Sequence, residues 1–234
     1  MLKVKVVVDN NQNPFTTYST GWGLSILIET GGYKILWDTG PDPELLRKNM
    51  EAMNISPFDI DMVFISHDHM DHYGGLKYLA EFNKGVKVYV PYGMSDSTKS
   101  WIKGMGCTIA EINTAIPVGG GILDTGQLYG PPYEHSIVAL DGKAILFVGC
   151  SHPGIVNIVE RAISLGYKPD YIIGGLHLVG SSEETIEQVL NKLFKLGVEK
   201  VAPIHCSGDR IRSLMEKKYK DKYMRMYVGS ELTV

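Results

Sequence analysis

Short apolar segments rich in valine and isoleucine recur along the first half of the chain, and most of them are bounded by Gly, Asn, Asp or Pro. This composition and spacing predict β-strands. The five segments are VKVVV, LSILIE, YKILWD, DMVFIS and VKVYVP. Two helices are predicted between them, in PDPELLRKNMEAMN, where Pro43 suits the first helical turn, and in GGLKYLAEFNKG.

The same alternation returns after about residue 115. A hairpin is predicted in SIVALDGKAILFVGC, with its turn at Asp141-Gly142, followed by a helix in GIVNIVERAISLG and a strand in PDYIIGGL. Two amphipathic helices, in SEETIEQVLNKLFKLG and DRIRSLMEKKY, flank a strand in KVAPIH. Both halves run from strands into βα units. This pattern predicts an α/β fold of two similar layers packed into a single domain over residues 1–234, with the halves meeting near residue 115.

Composition limits the partners and the location. With 234 residues, of which 44% are hydrophobic and 21% charged, the chain is long enough to bury a sizeable core. A net charge of -3 provides no general field that attracts nucleic acid or an anionic membrane, so neither is an expected partner. The three cysteines are widely separated and unlike a disulfide framework, and MLKVKVVVDN lacks the features of a secretory signal. We therefore expect a cytoplasmic protein.

Histidine and aspartate are concentrated in HDHMDH, at the end of a predicted strand. In an extended segment His67 and His69 point to the same side, so they can bind one metal ion. Asp71 and His72 follow after a turn and supply an oxygen and a nitrogen for a second ion, such as zinc, iron or manganese. The alternative is a polar loop of solvated side chains. Three histidines at these spacings with an acidic partner favour the metal site.

The segment SHDHMDHYGGL resembles the His-x-His-x-Asp-His signature of the metallo-β-lactamase fold superfamily. Three further segments resemble motifs of that family, in the expected order. ILWDTG resembles the strand with an aspartate that supports the metal site from behind, here Asp38. GCSHPG resembles the motif with the third histidine of the first metal, here His152, and PIHCSG the motif that gives a histidine, here His205, to the second metal.

The resemblance covers nearly the whole chain and implies a four-layer αββα sandwich. In this fold two mixed β-sheets lie face to face, helices cover both outer sides, and a dinuclear metal site lies at one edge. A narrower resemblance, in YEHSIVAL, GCSHPGIVNIV, GGLHLVG and PIHCSG, is to the branch labelled dihydropterin-ribofuranosylaminobenzene phosphate synthase-like metal-dependent hydrolases.

The chain differs from many members of this superfamily at one ligand position. Those members carry an aspartate that bridges the two metals in a Gly-Asp motif, whereas here the strand DYIIGG leads into Leu176-His177. His177 therefore replaces that ligand, contacts substrate or caps a turn. A role in the site is favoured, because a polar residue after a buried strand in this fold faces the cleft.

Together these features predict a hydrolase with two divalent transition-metal ions, zinc first and iron or manganese as alternatives. Such ions lower the pKa of bound water towards neutrality, which makes a hydroxide available at about pH 7. The expected substrate is a small phosphorylated, ester or lactone compound. We expect Asp71 to hold both metal and nucleophile, and His177 or a metal-bound water to protonate the leaving group.

Residues beside these motifs allow two interpretations each. Glu134 either reaches the cleft, where it would bind substrate, or lies on the surface, and His135 is expected on the surface. Cys150 and Cys206 are expected to be small buried packing residues, with metal binding by a thiolate as the alternative. The triplet GGG at 119–121 is interpreted as a turn between the halves, and EKKYKDKY as a solvated basic helix face.

Two other classes of function stay open from the sequence. A nuclease of the same superfamily would share the histidine motif, but the acidic balance and the lack of a recognisable basic or glycine-rich arm disfavour it. A redox di-iron protein or a metal-binding protein without turnover is the other alternative, and the lack of a flavin-binding domain disfavours its redox form. Salt-dependent affinity for RNA would indicate the nuclease, and dioxygen-sensitive iron absorbance the redox protein.

Overall fold

A computed structural model describes all residues from 1 to 234 and contains two β-sheets, a two-stranded ribbon and seven α-helices. The strands are β1 (Lys3–Val8), β2 (Ser25–Thr30), β3 (Tyr33–Trp37), β4 (Met62–Phe64), β5 (Lys87–Pro91), β6 (Thr108–Ile112), β7 (Thr114–Gly119), β8 (Ile122–Gly126), β9 (Leu128–Tyr129), β10 (Tyr133–Glu134), β11 (Ile137–Asp141), β12 (Lys143–Val148), β13 (Tyr171–Gly175), β14 (Lys200–Ile204) and β15 (Glu231–Thr233). The helices are α1 (Pro43–Ala52), α2 (Met70–Tyr73), α3 (Leu76–Phe82), α4 (Asp96–Gly104), α5 (Ile155–Ser164), α6 (Glu183–Lys195) and α7 (Asp209–Lys218). None of them combines the length and the apolar character needed to cross a lipid bilayer.

The two large sheets divide the chain almost by sequence. The first sheet has the strand order β15-β1-β2-β3-β4-β5-β6, and the second has the order β14-β13-β12-β11-β8-β7. Strands β3 to β6 are parallel to one another, and so are β12, β13 and β14. Parallel neighbours end at the same edge of a sheet, so the residues that follow them meet there.

Alternation along the strands separates three apolar cores. In β3, Ile35 and Trp37 lie in the core between the two sheets, whereas Leu36 packs on the outer side among residues of α1, α3 and α4. Successive side chains of a strand point to opposite faces, so one strand serves both cores. A third core lies between the second sheet and α5, α6 and α7. The result is the predicted four-layer αββα sandwich.

Every strand and helix predicted from the sequence is present, and one turn was interpreted wrongly. Helix α1 begins at Pro43, and the carboxylate of Asp42 caps it by accepting a hydrogen bond from the backbone N–H of Leu45. The triplet at 119–121 turns the hairpin between β7 and β8 inside the second sheet, so it is not a turn between the halves. The chain changes sheets between β6 and β7 instead, across the single residue Asn113.

Candidate metal centre

The histidine-rich segment follows β4 at the edge where the parallel strands of the first sheet end. The backbone is extended at His69, so His67 and His69 approach each other, with 3.0 Å between Nε2 of His67 and Nδ1 of His69. The short helix α2 then carries Asp71 and His72. The extended segment and the turn thus place two pairs of metal-binding side chains within six residues.

Three histidines form the first group of candidate ligands. One ligating nitrogen from each of His67, His69 and His152 lies within 4.8 Å of the other two. The His152 ring lies 4.7 Å from the His67 ring and 4.9 Å from the His69 ring, measured between centroids. Nε2 of His152 is buried and has no hydrogen-bond partner. A buried nitrogen lone pair without a donor is suited to a cation.

A carboxylate and two histidines form the second group. Ligand atoms of Asp71, His72 and His205 all lie within 4.8 Å of one another. Oδ2 of Asp71 is 3.3 Å from Nε2 of His205 and 3.6 Å from Nε2 of His72. Nε2 of His205 is also buried without a hydrogen-bond partner. The six side chains predicted as ligands therefore form two adjacent clusters.

Asp38 lies behind the second group. It is fully buried, and its Oδ2 lies 2.7 Å from Nδ1 of His72 and accepts a hydrogen bond from the hydroxyl of Ser66 at 2.8 Å. Its Oδ1 accepts the backbone N–H of Ser66 at 2.7 Å. When Nδ1 of His72 donates to a carboxylate, the lone pair of Nε2 is available for a metal.

Two residues that follow β1 support His205, and the sequence reasoning did not single them out. The backbone N–H of His205 donates to Oδ1 of Asp9 at 2.8 Å. Its Nδ1 lies 3.0 Å from Oδ1 of Asn10, whose amide nitrogen donates to the carbonyl oxygen of His205 at 3.3 Å. The only signal in the sequence was two polar residues at the end of a buried strand.

The prediction that Glu134 binds substrate in the cleft, or else lies on the surface, needs correction. Glu134 is 1% exposed, and its carboxylate accepts four backbone N–H groups, from Gly149, Cys150, Ser151 and His152, at 2.8 to 3.1 Å. No free oxygen faces the cavity. Burial outweighs these hydrogen bonds and raises the pKa of Glu134 to about 7. Glu134 therefore fixes the loop that carries His152.

The expectation that His135 lies on the surface was wrong. His135 is 1% exposed, with Nδ1 2.7 Å from Oδ2 of Asp124 and Nε2 2.9 Å from the carbonyl oxygen of Ile65. It packs against Trp37 and Phe64. The imidazole thereby connects the second sheet to the strand end that precedes the histidine motif, and it is not part of the ligand groups.

His177 and two cysteines line the cavity above the ligands. The cavity has a volume of about 400 Å³ and also includes Trp22, Pro41 and Met70 in its wall. The exposed His177 ring lies 4.6 Å from the His152 ring, between centroids. Hydrogen bonding to the Cys206 side chain raises the pKa of His177. Cys150 and Cys206 are buried, as expected, but their place is in the cavity wall and not in an apolar core.

The charge states of the candidate ligands differ between the two groups. Burial lowers the pKa of His67 well below its ordinary value and that of His152 to about 4, so both imidazoles are neutral at pH 7. Burial raises the pKa of Asp71, but neighbouring histidines outweigh burial and lower it to about 2. Burial also opposes the charged form of His72, but Asp38 prevails and raises its pKa to about 9. Metal binding at pH 7 must therefore release a proton from His72.

The donor set fits a transition metal by its chemistry. Imidazole nitrogens and one carboxylate suit zinc, iron or manganese, and the Nε2 atoms of His152 and His205 are buried without a hydrogen-bond partner. His67, His69 and His152 would hold one ion, and Asp71, His72 and His205 the other. The cavity above them would give a small molecule access to both.

Known proteins are similar to this chain in sequence and in fold. Residues 21–205 match the sequence profile of the Metallo-beta-lactamase superfamily. The chain is 31% identical to the 7,8-dihydropterin-6-methyl-4-(beta-D-ribofuranosyl)-aminobenzene-5'-phosphate synthase of Methanocaldococcus jannaschii, in an alignment that covers 88% of each protein. It is 28% identical to the ribonuclease Z of Nanoarchaeum equitans over 53% of this chain and 39% of that protein.

Among solved structures, the fold is similar to that of Tm1679, a metal-dependent hydrolase of the beta-lactamase superfamily. The TM-score is 0.78 at 24% identity, and the superposition covers 100% of this chain and 99% of Tm1679. A profile match over most of the chain, a 31% identical relative aligned over 88% of it, and the shared fold lead to one conclusion. The chain belongs to the metallo-β-lactamase superfamily.

Proposed function

We propose that this protein is a metal-dependent hydrolase that holds two divalent transition-metal ions and acts on a small molecule. Zinc is the first candidate, and iron and manganese are the alternatives. The observation that supports the proposal is the pair of ligand groups in and beneath one cavity, consisting of His67, His69 and His152 in one group and of Asp71, His72 and His205 in the other. When bound, divalent ions supply a Lewis acid and lower the pKa of bound water towards neutrality.

Two residues of the chain have proposed roles in the chemistry. Asp71 is ionised at neutral pH, so its carboxylate accepts a hydrogen bond from the attacking water and orients it. His177 is exposed in the cavity wall, and hydrogen bonding to the Cys206 side chain raises its pKa. Its proton is available to the leaving group. Asp71 therefore orients the attacking water, and His177 donates a proton to the leaving group.

The residue types that line the cavity favour some classes of substrate over others. None of its ten lining residues is lysine or arginine, and Trp22, Pro41 and Met70 give it an apolar side. Proteins commonly bind phosphate through arginine or lysine side chains. We therefore rank an ester or lactone with an apolar body ahead of a phosphorylated compound. The same lack of basic residues argues against RNA, although a ribonuclease Z is among the relatives.

The test combines metal content with turnover. Protein purified without chelator is analysed for metal per chain and assayed on ester, lactone, phosphomonoester and phosphodiester substrates, with a precursor RNA as a further substrate. We expect about two transition-metal ions per chain and chelator-sensitive ester or lactone hydrolysis. Cleavage of RNA with no small-molecule turnover would instead support a nuclease, and metal binding without any turnover would support a non-catalytic protein.

A pair of variants from one loop tests the role of Asp71. Asp71→Ala should abolish hydrolysis while the fold stays intact. Asp68→Ala is the control, because Asp68 faces α4, where it accepts hydrogen bonds from the backbone of Ser95 and the hydroxyl of Thr98 at 2.9 and 2.6 Å. It should retain turnover. Unchanged turnover in Asp71→Ala would refute the proposed role.

A further inference from the structure

We propose that the Cys150 thiolate is a metal ligand shared by the two ions, and this inference rests on the dinuclear centre proposed above. Among the groups of three side chains whose ligand atoms lie within 4.8 Å of one another, Cys150 occurs with His67 and His72, with His152 and His177, and with His205 and Cys206. No other residue belongs to three of the five groups. Its sulfur therefore lies between the first group of ligands and the second.

Direct contacts point the same way. Sγ of Cys150 lies 3.2 Å from Nε2 of His72, the nitrogen that would bind the second ion. Two atoms that bind one zinc ion, at about 2.0–2.1 Å for nitrogen and about 2.3 Å for sulfur, lie a few ångströms apart. The side chain is 4% exposed, so little solvent competes for the sulfur.

Backbone hydrogen bonds fix the loop that carries Cys150. The backbone N–H of Cys150 donates to Glu134 at 3.0 Å, and the N–H groups of the neighbouring residues donate to the same carboxylate. A Cβ at Gly175, on the adjacent strand, would lie 2.6 Å from Sγ of Cys206 and 3.3 Å from Cα of Cys150. A glycine at position 175 thus leaves the space that the Cys206 thiol and the Cys150 backbone fill.

Charge balance gives a second, independent argument. Within the two ligand groups Asp71 is the only carboxylate, and the residues after β13 are Leu176 and His177. Two divalent cations bring four positive charges into a largely buried site, and buried charges require compensation. A thiolate between the ions adds a negative charge where both ions use it, and its proton leaves to solvent on binding.

Cys206 is the nearby alternative, and the geometry disfavours it. Its side chain belongs to only one ligand group, and its thiol lies 3.7 Å from the carbonyl oxygen of Cys150, to which it donates. The third cysteine, Cys107, is buried in the core between the first sheet and its helices, away from the site. The three thiols therefore form a natural set of one test residue and two controls.

The test is a cobalt titration of metal-free protein, followed by absorbance. Cobalt bound by a thiolate shows an intense near-ultraviolet charge-transfer band that imidazole and carboxylate ligands do not give. We expect the band in the wild-type chain to grow through the first and the second equivalent, because a shared sulfur contacts both ions. X-ray absorption of the zinc protein should show a sulfur neighbour at about 2.3 Å. This second measurement needs no variant.

The variants assign the band to one residue. Cys150→Ser should lose it and should bind the second equivalent at least about 100-fold more weakly, since even residues behind the ligands cost 10–100-fold. Cys206→Ser and Cys107→Ser should keep the band. A band that is complete after one equivalent, or that survives in Cys150→Ser and disappears in Cys206→Ser, would overturn the inference.

Failure of the inference can be told apart from failure of the proposed function. Two bound ions and turnover with no charge-transfer band and no sulfur neighbour would refute the thiolate ligand and leave the hydrolase proposal intact. A wild-type chain that binds no cobalt, zinc, iron or manganese would refute both.

Discussion

Replacing Asp38 by asparagine should separate the support of a metal ligand from the stability of the fold. In the wild-type chain one carboxylate oxygen accepts the backbone N–H of Ser66, and the other lies 2.7 Å from Nδ1 of His72. Asparagine has one acceptor and one donor group in these places. If its oxygen faces Ser66, its NH₂ group faces the N–H of His72, and the reverse orientation leaves the N–H of Ser66 opposed by a donor. While His72 keeps its proton on Nδ1, either orientation leaves one buried donor without a partner.

The expected magnitudes follow from this conflict. An unsatisfied buried donor costs about 1–3 kcal/mol, and breaking a buried charged pair costs about 3–5 kcal/mol. Because asparagine retains one hydrogen bond of Asp38, we expect the lower end, about 3 kcal/mol of unfolding free energy in metal-free protein. His72 would also lose the partner that directs its Nε2 lone pair to the metal. Affinity for one ion should fall by about 10–100-fold.

The chain contains a matched control for this experiment. Asp124 is equally buried, accepts the backbone N–H of Gly126 with one oxygen at 2.9 Å, and has the other 2.7 Å from Nδ1 of His135. Asp124→Asn should therefore cost similar stability in urea unfolding but leave zinc affinity unchanged in a competition with chelator. Equal loss of affinity in both variants would refute a specific role of Asp38, as would full affinity in Asp38→Asn.

Three further outcomes are expected. Burial lowers the pKa of His135 but Asp124 outweighs burial and raises it from 6.5, so the pair stabilises the fold fully below about pH 6.5. This stability is lost as pH rises through the raised pKa of His135. The difference in unfolding free energy between wild type and Asp124→Asn should therefore shrink over that range. A constant difference would contradict the pairing of a charged His135 with Asp124. A Cβ at Gly149 would lie 2.1 Å from the hydroxyl of Ser66. Gly149→Ala should therefore lower the free energy of unfolding by about 1–3 kcal/mol and weaken metal binding. Gly104→Ala should do neither, because a Cβ there meets nothing within 4 Å. Chelation should abolish turnover but preserve the far-ultraviolet circular dichroism, because no ligand belongs to the three apolar cores, and loss of the spectrum would mean that the metal is structural.

The features that the sequence predicts most directly are those encoded over short distances. Strand β3 is an example. Its residues Ile35, Leu36 and Trp37 alternate between two cores, and the apolar run alone predicts a strand. His67 and His69 form another local pattern, since a spacing of two in an extended segment puts both on one side. The distant candidate ligands His152 and His205 came only from resemblance to a family, because no local rule relates residues so far apart in the chain.

The supports of the site were missed because their partners are distant in sequence. Glu134 forms an isolated bridge with His67, and the backbone N–H of His135 donates to the carbonyl oxygen of Ser66 at 3.1 Å. The segment thus pairs with the histidine loop from the first half of the chain and becomes buried. From the sequence alone, a glutamate and a histidine before a strand are expected on the surface. Burial of a carboxylate becomes predictable only when the four N–H donors around it are known.

Backbone conformation explains how two sheets can present so many ligands at one edge. Five residues other than glycine have φ between +51 and +63°, and four of them, Asp38, Ser151, His177 and His205, follow β3, β12, β13 and β14 at the cavity side. A left-handed residue turns the chain sharply as it leaves a strand, at a cost of about 1–2 kcal/mol each. Buried hydrogen bonds oppose this cost, as where the N–H of His205 donates to Asp9 and that of Ser151 to Glu134. These strained residues lie at the strand ends beside the cavity, whereas three apolar cores hold the rest of the sandwich. Backbone strain is typical of functional sites, and selection for stability alone would not favour it.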